Sequence, residues 1–527
     1  MSTDEPTFDA PAPDAPAPDA PTPDAPTPDV GPEAGRRRAR KVRRGPILFV
    51  VLVALVAAVV AQQDESSGSS AAPTGARALA NVGVPAADVA SSAWYCAAGT
   101  STPDGPATET VVIASLARTD LEATITVMPG GDAKPTTDTM RLAPGEQVSV
   151  PVADVLATAE PGVVVETVGG AAAVSHVLEH GDDVAMEACT RTAAADWYFA
   201  SGTTVGESRH DLLLFNPFGD DAIVDVAFVT DTGAQEPSEL QALVVPRRSR
   251  VTIPVQDSVL RQARVATHVH ARTGRIVAEQ TQTFDDVTID GSARDGIALS
   301  AGATAPSSVW RIPAGSTRDG GSVQLALANF STDDARVDVK TVLDGEGDLQ
   351  AQTVRVPAQG VTTVDVTTRV PLDTDIAVTA TVRAVDGRRV PVVAQLLATW
   401  PPASSSTGLA GTLGSTLTAT RWVVPGPDVD AEATVTVFNP GTEPVTAELL
   451  SAEDVDRRIG PTSEPELAIG PGEVKTVRLV LLGSGQGATV VTANHPIVVG
   501  LTVLGGAGAA VETALPDLTH SDLTRGG

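Results

Sequence analysis

The stretch Leu212-Leu-Leu-Phe-Asn216-Pro217, followed by Ala222-Ile-Val-Asp-Val-Ala-Phe228, carries the pattern that decides the fold. An apolar run ends at Asn-Pro, which favours a turn. The second run alternates apolar and polar side chains, which is typical of a β-strand with one face in a core. Together the two runs predict an antiparallel hairpin.

The same pattern recurs along the chain. Leu325-Ala-Leu-Ala-Asn329-Phe330 and Val435-Thr-Val-Phe-Asn439-Pro440 are each followed by an alternating run, and Ala123-Thr-Ile-Thr-Val-Met128 is a related run without the preceding asparagine. A tryptophan precedes each copy, at intervals of 103, 113 and 112 residues: Trp94, Trp197, Trp310 and Trp422. The chain therefore contains a fourfold internal repeat.

Each repeat holds six to eight short apolar runs separated by turn signals, which is typical of an antiparallel β-sandwich. After Leu55 the sequence has no convincing amphipathic helix, and residues 152–158 predict a single helical turn. We predict an all-β fold of four tandem, immunoglobulin-like β-sandwich domains. They span residues 90–192, 193–305, 306–415 and 416–516, with a tail at 517–527. The alternative is a β-propeller with two blades per repeat.

The four repeated tryptophans are interpreted as structural core anchors, because tryptophan is the largest apolar side chain in repeats filled with Ala and Val. The alternative is a ligand platform for sugars, which would need clusters of exposed aromatic side chains. Both tyrosines, Tyr95 and Tyr198, adjoin a tryptophan and would face the opposite side of the strand.

The only two cysteines, Cys96 and Cys189, lie near the start and the end of the first repeat. In an oxidising compartment this placement predicts a disulfide that joins the first and last strands of that repeat. The alternative is a pair of free, buried thiols. A catalytic cysteine is disfavoured, because it would need an electropositive setting beside a base.

The N-terminal region predicts membrane targeting. Residues 1–35 form a Pro/Asp/Ala-rich arm that we expect to be disordered and cytoplasmic. An uncharged apolar segment at 45–62 predicts a single transmembrane helix, and residues 63–89 a flexible linker. Seven cations at 36–44 should keep the N-terminus cytoplasmic and leave the C-terminal bulk outside: Arg36, Arg37, Arg38, Arg40, Lys41, Arg43 and Arg44. The alternative is export after signal cleavage near Ala61.

The charge of the 527-residue chain is strongly negative, with 65 acidic against 36 basic residues and a formal net charge of −29. This balance argues against nucleic acid as a partner, because phosphate binding needs a basic surface. Residues 45–527 hold 57 acidic and 29 basic side chains, so the acidity belongs to the exported part. The preference for Arg over Lys and the abundance of Ala indicate a GC-rich genome, such as that of an actinobacterium.

Three local motifs raise the question of catalysis or metal binding. Asp231-Thr-Gly-Ala234 resembles an aspartic-protease loop, but its place in the repeat predicts a hairpin turn. Residues 483–488 contain spaced glycines but precede a strand, whereas a phosphate loop precedes a helix. His268 and His270 share one strand face, and no third ligand lies at a diagnostic spacing. We therefore predict no catalytic residue, no metal site and no cofactor.

Acid-rich turns form a weaker candidate for calcium binding. No turn has a specific ligand pattern, and solvated turns are the favoured interpretation. They are Asp182-Asp183, Asp285-Asp286, Asp333-Asp334 and Asp428-Val-Asp430.

The Trp-Tyr-Cys start, the paired cysteines, the Asn-Pro turns and the basic cluster before one apolar segment together resemble a family of uncharacterised actinobacterial membrane-anchored secreted proteins, catalogued as a domain of unknown function. The resemblance covers most of residues 40–515 and is strongest in the first two repeats. It implies no activity and no catalytic residue.

These observations predict a non-enzymatic, membrane-anchored scaffold of the cell envelope. Its expected partners are the membrane, envelope proteins and cell-wall polymers. The alternative function is a polysaccharide-binding module or an accessory subunit of an envelope enzyme.

Overall fold

The computed structural model describes residues 83–85, 89–289, 292–402, 407–426, 431–453, 466–480, 487–506 and 508–517, which belong to one compact unit. The predicted arm, basic cluster and transmembrane segment lie outside these residues. No helix in the described part of the chain has the length and apolar character needed to cross a bilayer.

The first sandwich consists of two four-stranded antiparallel sheets, ordered β1-β6-β3-β4 and β5-β2-β7-β8. In β3 the inward residues Leu121, Ala123, Ile125 and Val127 are buried, which follows from the alternation of the sequence. Its elements are β1 (Ser91–Cys96), β2 (Thr108–Ser115), β3 (Leu121–Met128), β4 (Thr136–Leu142), β5 (Gln147–Pro151), the one-turn helix α1 (Val152–Val155), β6 (Gly162–Val168), β7 (Ala172–His180) and β8 (Asp183–Ala188).

The second sandwich repeats this topology. One sheet places β15 between β9 and β11, with β12 and β13 both pairing with β11, and the other has the order β14-β10-β16-β17. Its elements are β9 (Asp196–Phe199), β10 (Arg209–Asn216), β11 (Ala222–Thr230), β12 (Gly233–Gln235), a 3-10 turn (Ser238–Leu240), β13 (Leu243–Val245), β14 (Ser249–Pro254), α2 (Val255–Ser258), β15 (Val265–Thr273), β16 (Val277–Ile289) and β17 (Ser292–Ala301).

The third sandwich has the same two sheets, ordered β18-β24-β20 and β23-β19-β25-β26, with β21 and β22 both pairing with β20. Its elements are β18 (Val309–Ile312), a 3-10 turn (Arg318–Gly320), β19 (Ser322–Asn329), β20 (Ala335–Leu343), β21 (Gly347–Asp348), β22 (Gln352–Val356), β23 (Gly360–Asp365), β24 (Ile376–Val382), β25 (Val393–Trp400) and β26 (Gly408–Leu413).

In the fourth sandwich one long strand, β32, belongs to both sheets. Its first half pairs with β27 and β29, and its second half pairs with β28 and β33. The elements are β27 (Ala419–Val424), β28 (Glu432–Phe438), β29 (Val445–Ser451), β30 (Leu467–Ile469), β31 (Val474–Val480), β32 (Thr489–Gly505), β33 (Gly508–Thr513) and β34 (Leu515–Pro516). The prediction of an all-β chain of β-sandwiches is confirmed: the first three repeats each hold two separate sheets, and the fourth holds two sheets that share β32.

The four sandwiches close into a ring around an axis. One inner strand of each sandwich packs against the inner strands of its neighbours, in the cyclic order β8, β17, β26, β33 and back to β8. Small residues permit this approach: a Cβ atom on Gly296, Gly408 or Gly508 would lie 2.7–2.9 Å from a backbone nitrogen of the neighbouring strand. All three glycines also have positive φ, which other residues rarely adopt.

The ring is completed where the first sandwich meets the fourth. The Val84 N–H donates to the Pro516 carbonyl over 2.8 Å. The Gln147 side chain donates to the Gly426 carbonyl (2.7 Å) and accepts from its N–H (3.0 Å). Leu515 of the fourth sandwich lies in the same hydrophobic cluster as Trp94 of the first. The described repeats therefore form one body with a continuous interior.

Candidate functional site

The four innermost strands each bring one polar side chain to the ring axis. These side chains hold equivalent positions, because each lies opposite a matching residue of the strand that precedes the inner strand in its own sandwich. The pairs, with the inner-strand residue second, are His176↔Glu187, Gln280↔Ser300, Leu396↔Thr412 and Leu501↔Glu512. All four axial side chains, Glu187, Ser300, Thr412 and Glu512, are buried. Two carboxyl groups and two hydroxyl groups thus occupy equivalent buried positions on the inner strands, and the two carboxyl groups are close enough to interact electrostatically.

The two axial carboxyl groups differ in their hydrogen bonding. Glu187 accepts from the N–H groups of Ala301 and Ala188, both at 3.3 Å. Neither oxygen of Glu512 has a hydrogen-bond partner among the described residues. Burial raises the pKa of Glu512 to about 8, and burial together with the nearby Glu512 raises that of Glu187 well above its ordinary value. At neutral pH Glu512 is therefore mostly a neutral O–H donor.

A small pocket opens beside these groups, with a cavity volume of about 70 Å³. Its lining includes Glu187, Ala301, Gly414, Thr513 and Trp310. This volume holds a few water molecules, and Glu187 with the hydroxyl group of Thr513 supplies polar contacts of the kind that buried water needs. Chemically, the pocket suits water or a small polar solute rather than a large substrate.

The opposite end of the axis is tight and acidic. Asp183 occupies the position that Gly296, Gly408 and Gly508 occupy in the other sandwiches, and its carboxylate lies against Gly508. Burial and the negative charge of Asp295 raise the pKa of Asp183 to about 6. Two of the predicted acid-rich turns therefore meet here, because His180 at the end of β7 binds Asp285 of the second sandwich over 2.9 Å.

A second buried polar cluster joins the first two sandwiches. The His176 Nδ1 atom lies 2.9 Å from Glu109, and its Nε2 atom lies 3.6 Å from Glu279. Glu279 accepts from the N–H groups of Ala97 (2.9 Å) and Ala98 (2.7 Å) across the interface. Burial lowers the pKa of His176 and raises that of Glu109.

This histidine–carboxylate arrangement resembles an acid–base relay, but all three side chains are fully buried. The next interface shows what the arrangement does: Gln395 of the third sandwich accepts from the N–H groups of Ala200 (2.5 Å) and Ser201 (2.9 Å) of the second. An amide replaces the carboxylate there and serves the same backbone groups. The cluster therefore joins sandwiches.

On the outer face of the second sandwich, His268 and His270 meet a third polar group. Asp196 Oδ1 lies 3.2 Å from His268 Nε2 and 2.8 Å from His270 Nδ1. This third group has no diagnostic spacing in the sequence, because Asp196 lies 72 residues before His268 and reaches the histidines through strand pairing. Burial lowers the pKa of His268.

The other candidate residues have structural positions. The repeated tryptophans Trp94, Trp197, Trp310 and Trp422 are at most 2% exposed. In three repeats the indole N–H donates to the carbonyl just before or within the long central strand: Ile276, Val392 and Ile497. The predicted disulfide between Cys96 and Cys189 is confirmed.

The rejected motifs can be located in part. Asp231 and Thr232 form the turn between β11 and β12, as predicted. Asp333 and Asp334 form ion pairs with Arg388 and Arg355. Asp428, Asp430 and residues 483–486 lie outside the described residues, as do the cations of the basic cluster, Arg36 to Arg44.

The axial carboxyl groups were not predicted from the sequence. Glu187 and Glu512 are single acids in apolar runs and carry no motif. Their signal is a match between the inner strands of two repeats, because Asp183-Val-Ala-Met-Glu187 and Gly508-Ala-Ala-Val-Glu512 place an acid at the same position.

Comparison with known proteins adds a family but no activity. The model of a family of unknown function, DUF5719, matches residues 169–295 and 288–521. No curated protein matches the chain.

Two solved structures show a low similarity to this chain. The crystal structure of Thermotoga maritima 1070 shares 15% sequence identity with this chain and has a TM-score of 0.19. The match covers 21% of this chain and 94% of the Thermotoga chain. The crystal structure of a tetra-tandem repeat in the extending region of a large adhesion protein shares 11% sequence identity with this chain and has a TM-score of 0.07. The match covers 75% of this chain and 91% of the adhesion-protein chain.

Proposed function

Because the chain belongs to DUF5719, a family of unknown function, its role has to be inferred from its geometry, and we propose that it is a rigid, non-catalytic scaffold of the cell envelope. The observation that carries this proposal is the closure of four sandwiches into one ring. A closed ring holds its outer faces at fixed distances and angles, which is what a scaffold provides to several partners at once.

Rigidity distinguishes this ring from an ordinary tandem array. Domains joined by flexible linkers and small polar interfaces move relative to one another. Here the interfaces contain buried acceptors, Glu279 and Gln395, each bound to two backbone N–H groups of the preceding sandwich. Separating two sandwiches would exchange each of these hydrogen bonds for one to water, at a net cost of about 1 kcal/mol per bond.

The surface supports a protein or polymer partner rather than a stacked sugar. All five tryptophans are buried, at most 2% exposed, so no indole is available for sugar stacking. The most exposed large apolar side chains, Leu372, Leu260 and Val168, lie far apart in the sequence and in different strands or turns. With 57 acidic and 29 basic residues after position 44, basic protein surfaces are the favoured partners.

The N-terminal segment supports the proposed location of the scaffold, outside the cytoplasm and at the membrane. The basic cluster at 36–44 and the apolar segment at 45–62 would anchor the chain with its C-terminal bulk outside the cytoplasm. Cleavage near Ala61 would release the same bulk. The Cys96–Cys189 disulfide supports an oxidising compartment in both cases.

Proximity labelling from the C-terminal region of the full chain, in its native cell, tests the proposal. We expect a small set of envelope proteins to be labelled and to crosslink to the ring. Saturable retention of the purified protein by cell-wall polysaccharide, with no protein labelled above background, would contradict the scaffold and favour the polysaccharide-binding alternative. A C-terminal reporter that stays cytoplasmic would contradict the location.

A further inference from the structure

Three side chains of metal-ligating type lie on one face of the second sandwich. Strands β9 and β15 are antiparallel neighbours in which His270 pairs with Asp196 and His268 pairs with Tyr198. Residues two apart on a strand point to the same side, so both histidines share a face. Asp196 is directly opposite His270 and therefore points to that face as well.

The distances between the ligand atoms suit a small cation. The ligand atoms of Asp196, His268 and His270 all lie within 4.8 Å of one another, and the two closest pairs are at 2.8 and 3.2 Å. In a tetrahedral zinc site with bonds of about 2.0–2.1 Å, neighbouring ligand atoms are about 3.3 Å apart. The two distances from Asp196 are within about 0.5 Å of this value, and the two histidine nitrogens, at most 4.8 Å apart, can approach it by side-chain rotation.

The packing around His268 holds it in place before any ion binds. The Tyr198 ring stacks on the His268 ring at a centroid distance of 4.3 Å and an interplanar angle of 5°. Phe330, from the turn after β19 of the third sandwich, contacts both rings, at 5.1 Å from Tyr198 and 5.9 Å from His268. Preorganised ligands raise metal affinity, because less ordering is needed on binding.

The three side chains are also reachable from solvent. The side-chain exposures are 27% for His268, 50% for His270 and 36% for Asp196. Solvent can therefore complete the coordination with a water molecule. The second cluster of metal-ligating types, Cys96, His176 and Cys189, is different because the disulfide consumes both thiols and His176 is fully buried.

We propose that Asp196, His268 and His270 bind a divalent transition-metal ion, with Zn²⁺ as the best fit and water at the fourth position. Two imidazoles and one carboxylate suit Zn²⁺, Cu²⁺, Ni²⁺ or Co²⁺, whereas Ca²⁺ and Mg²⁺ prefer oxygen ligands. The site lies at the boundary of two sandwiches, since Phe330 closes one side of it. A bound ion would fix this outer face of the ring.

The test is a Zn²⁺ titration of the full chain, purified without a histidine tag and freed of metal with a chelator. Competition with a chromophoric chelator should reveal one site per chain. Loss of a residue that only hydrogen-bonds to a metal ligand already costs about 10–100-fold in metal affinity, so loss of a ligand in Asp196→Asn or His270→Gln should cost more than about 100-fold. X-ray absorption at the zinc edge should report two imidazole nitrogens.

The matched control is His495→Gln, which changes an exposed histidine outside the cluster and should leave the affinity unchanged. Circular dichroism should be the same for all variants, because the substituted side chains are partly exposed. The proposal is overturned if the full chain binds no Zn²⁺, or if Asp196→Asn and His270→Gln bind it as tightly as His495→Gln.

Discussion

At the scale of single residues, a buried asparagine side chain stabilises the equivalent turn in each of three sandwiches. The Asn439 side chain donates to the carbonyls of Glu443 (2.8 Å) and Gly470 (3.0 Å) and accepts from the Gly441 N–H (2.9 Å). Asn216 and Asn329 make the corresponding contacts in their own sandwiches. The Asn-Pro and Asn-Phe motifs therefore mark a turn whose backbone groups the amide satisfies.

Asn439→Ala should destabilise the protein by about 2–4 kcal/mol. The substitution leaves buried carbonyl and N–H groups without their partner, and each such loss costs about 1–3 kcal/mol. Chemical denaturation of the full chain measures the effect. Asn494→Ala is the control, because Asn494 is exposed and accepts a single hydrogen bond from Thr446; equal effects of the two substitutions would refute this role of the amide.

The axial carboxyl group of Glu512 should make stability depend on pH. Its pKa is raised to about 8 by burial, so the folded state holds a proton that the unfolded chain releases near pH 4.5. The stabilisation is fully present below pH 4.5 and is lost as the pH rises through about 8. Over this window the free energy of unfolding should fall by a few kcal/mol.

Glu512→Gln should flatten that part of the pH profile and raise the melting temperature at pH 8 relative to the unmodified protein, because the amide cannot ionise. Thermal melts between pH 5 and pH 9 measure the difference. Glu443→Gln, an exposed position, should leave the profile unchanged. A profile of Glu512→Gln that is parallel to that of the unmodified protein would exclude this carboxyl as the source.

At the scale of elements, the first and last strands of each repeat meet in the same way. Tyr95 pairs with Thr190 in the first sandwich, and Tyr198 pairs with Ala303 in the second. In the first sandwich the next residues along the two segments are Cys96 and Cys189, which form the disulfide. In the second sandwich the corresponding residues are Phe199 and Gly302. A Cβ atom on Gly302 would lie 2.8 Å from the Phe199 ring, so the large ring takes the room that the disulfide fills in the first sandwich.

The double variant Phe199→Cys/Gly302→Cys should therefore form a second disulfide. Equivalent register places the two sulfur atoms within bonding reach. Mass spectrometry of the unreduced protein should detect the crosslinked peptides, whereas each single variant should keep one free thiol. Two free thiols in the oxidised double variant would show that the repeats are not equivalent at this point.

Much of the element level could be predicted from the sequence. Alternation in runs such as 121–128 and 222–228 fixes strands and their inward faces, and the short turn at Val152 was predicted as well. The closure of the ring could not be predicted, because the inner strands meet through Ala and Gly residues that carry no periodic signal. The Asp196–His268–His270 cluster was missed for a related reason: strand pairing, not spacing, brings its third member.

At the scale of the whole molecule, the ring explains how Ala- and Val-rich sandwiches with few aromatic residues form a stable body. Each sandwich buries its inner strand against those of two others. The hydrophobic clusters extend across the boundaries, as with Ala200 and Ala266 of the second sandwich, which lie in the core cluster of the third. The buried polar side chains include the axial glutamates, Glu187 and Glu512, and those at the boundaries between sandwiches, such as Glu279 and Gln395. The molecule therefore has one interior and several outer faces with fixed relative positions.

The closure of the ring is tested most directly by a distance across the junction between the first and fourth sandwiches. Glu146 and Glu453 are both exposed, and the neighbouring Gly145 packs against Glu453. Spin labels on Glu146→Cys/Glu453→Cys in the full chain should give a single short distance by pulsed dipolar spectroscopy, because the junction holds the two sites together. A long or broad distance distribution, as expected for four sandwiches in an open string, would contradict the ring.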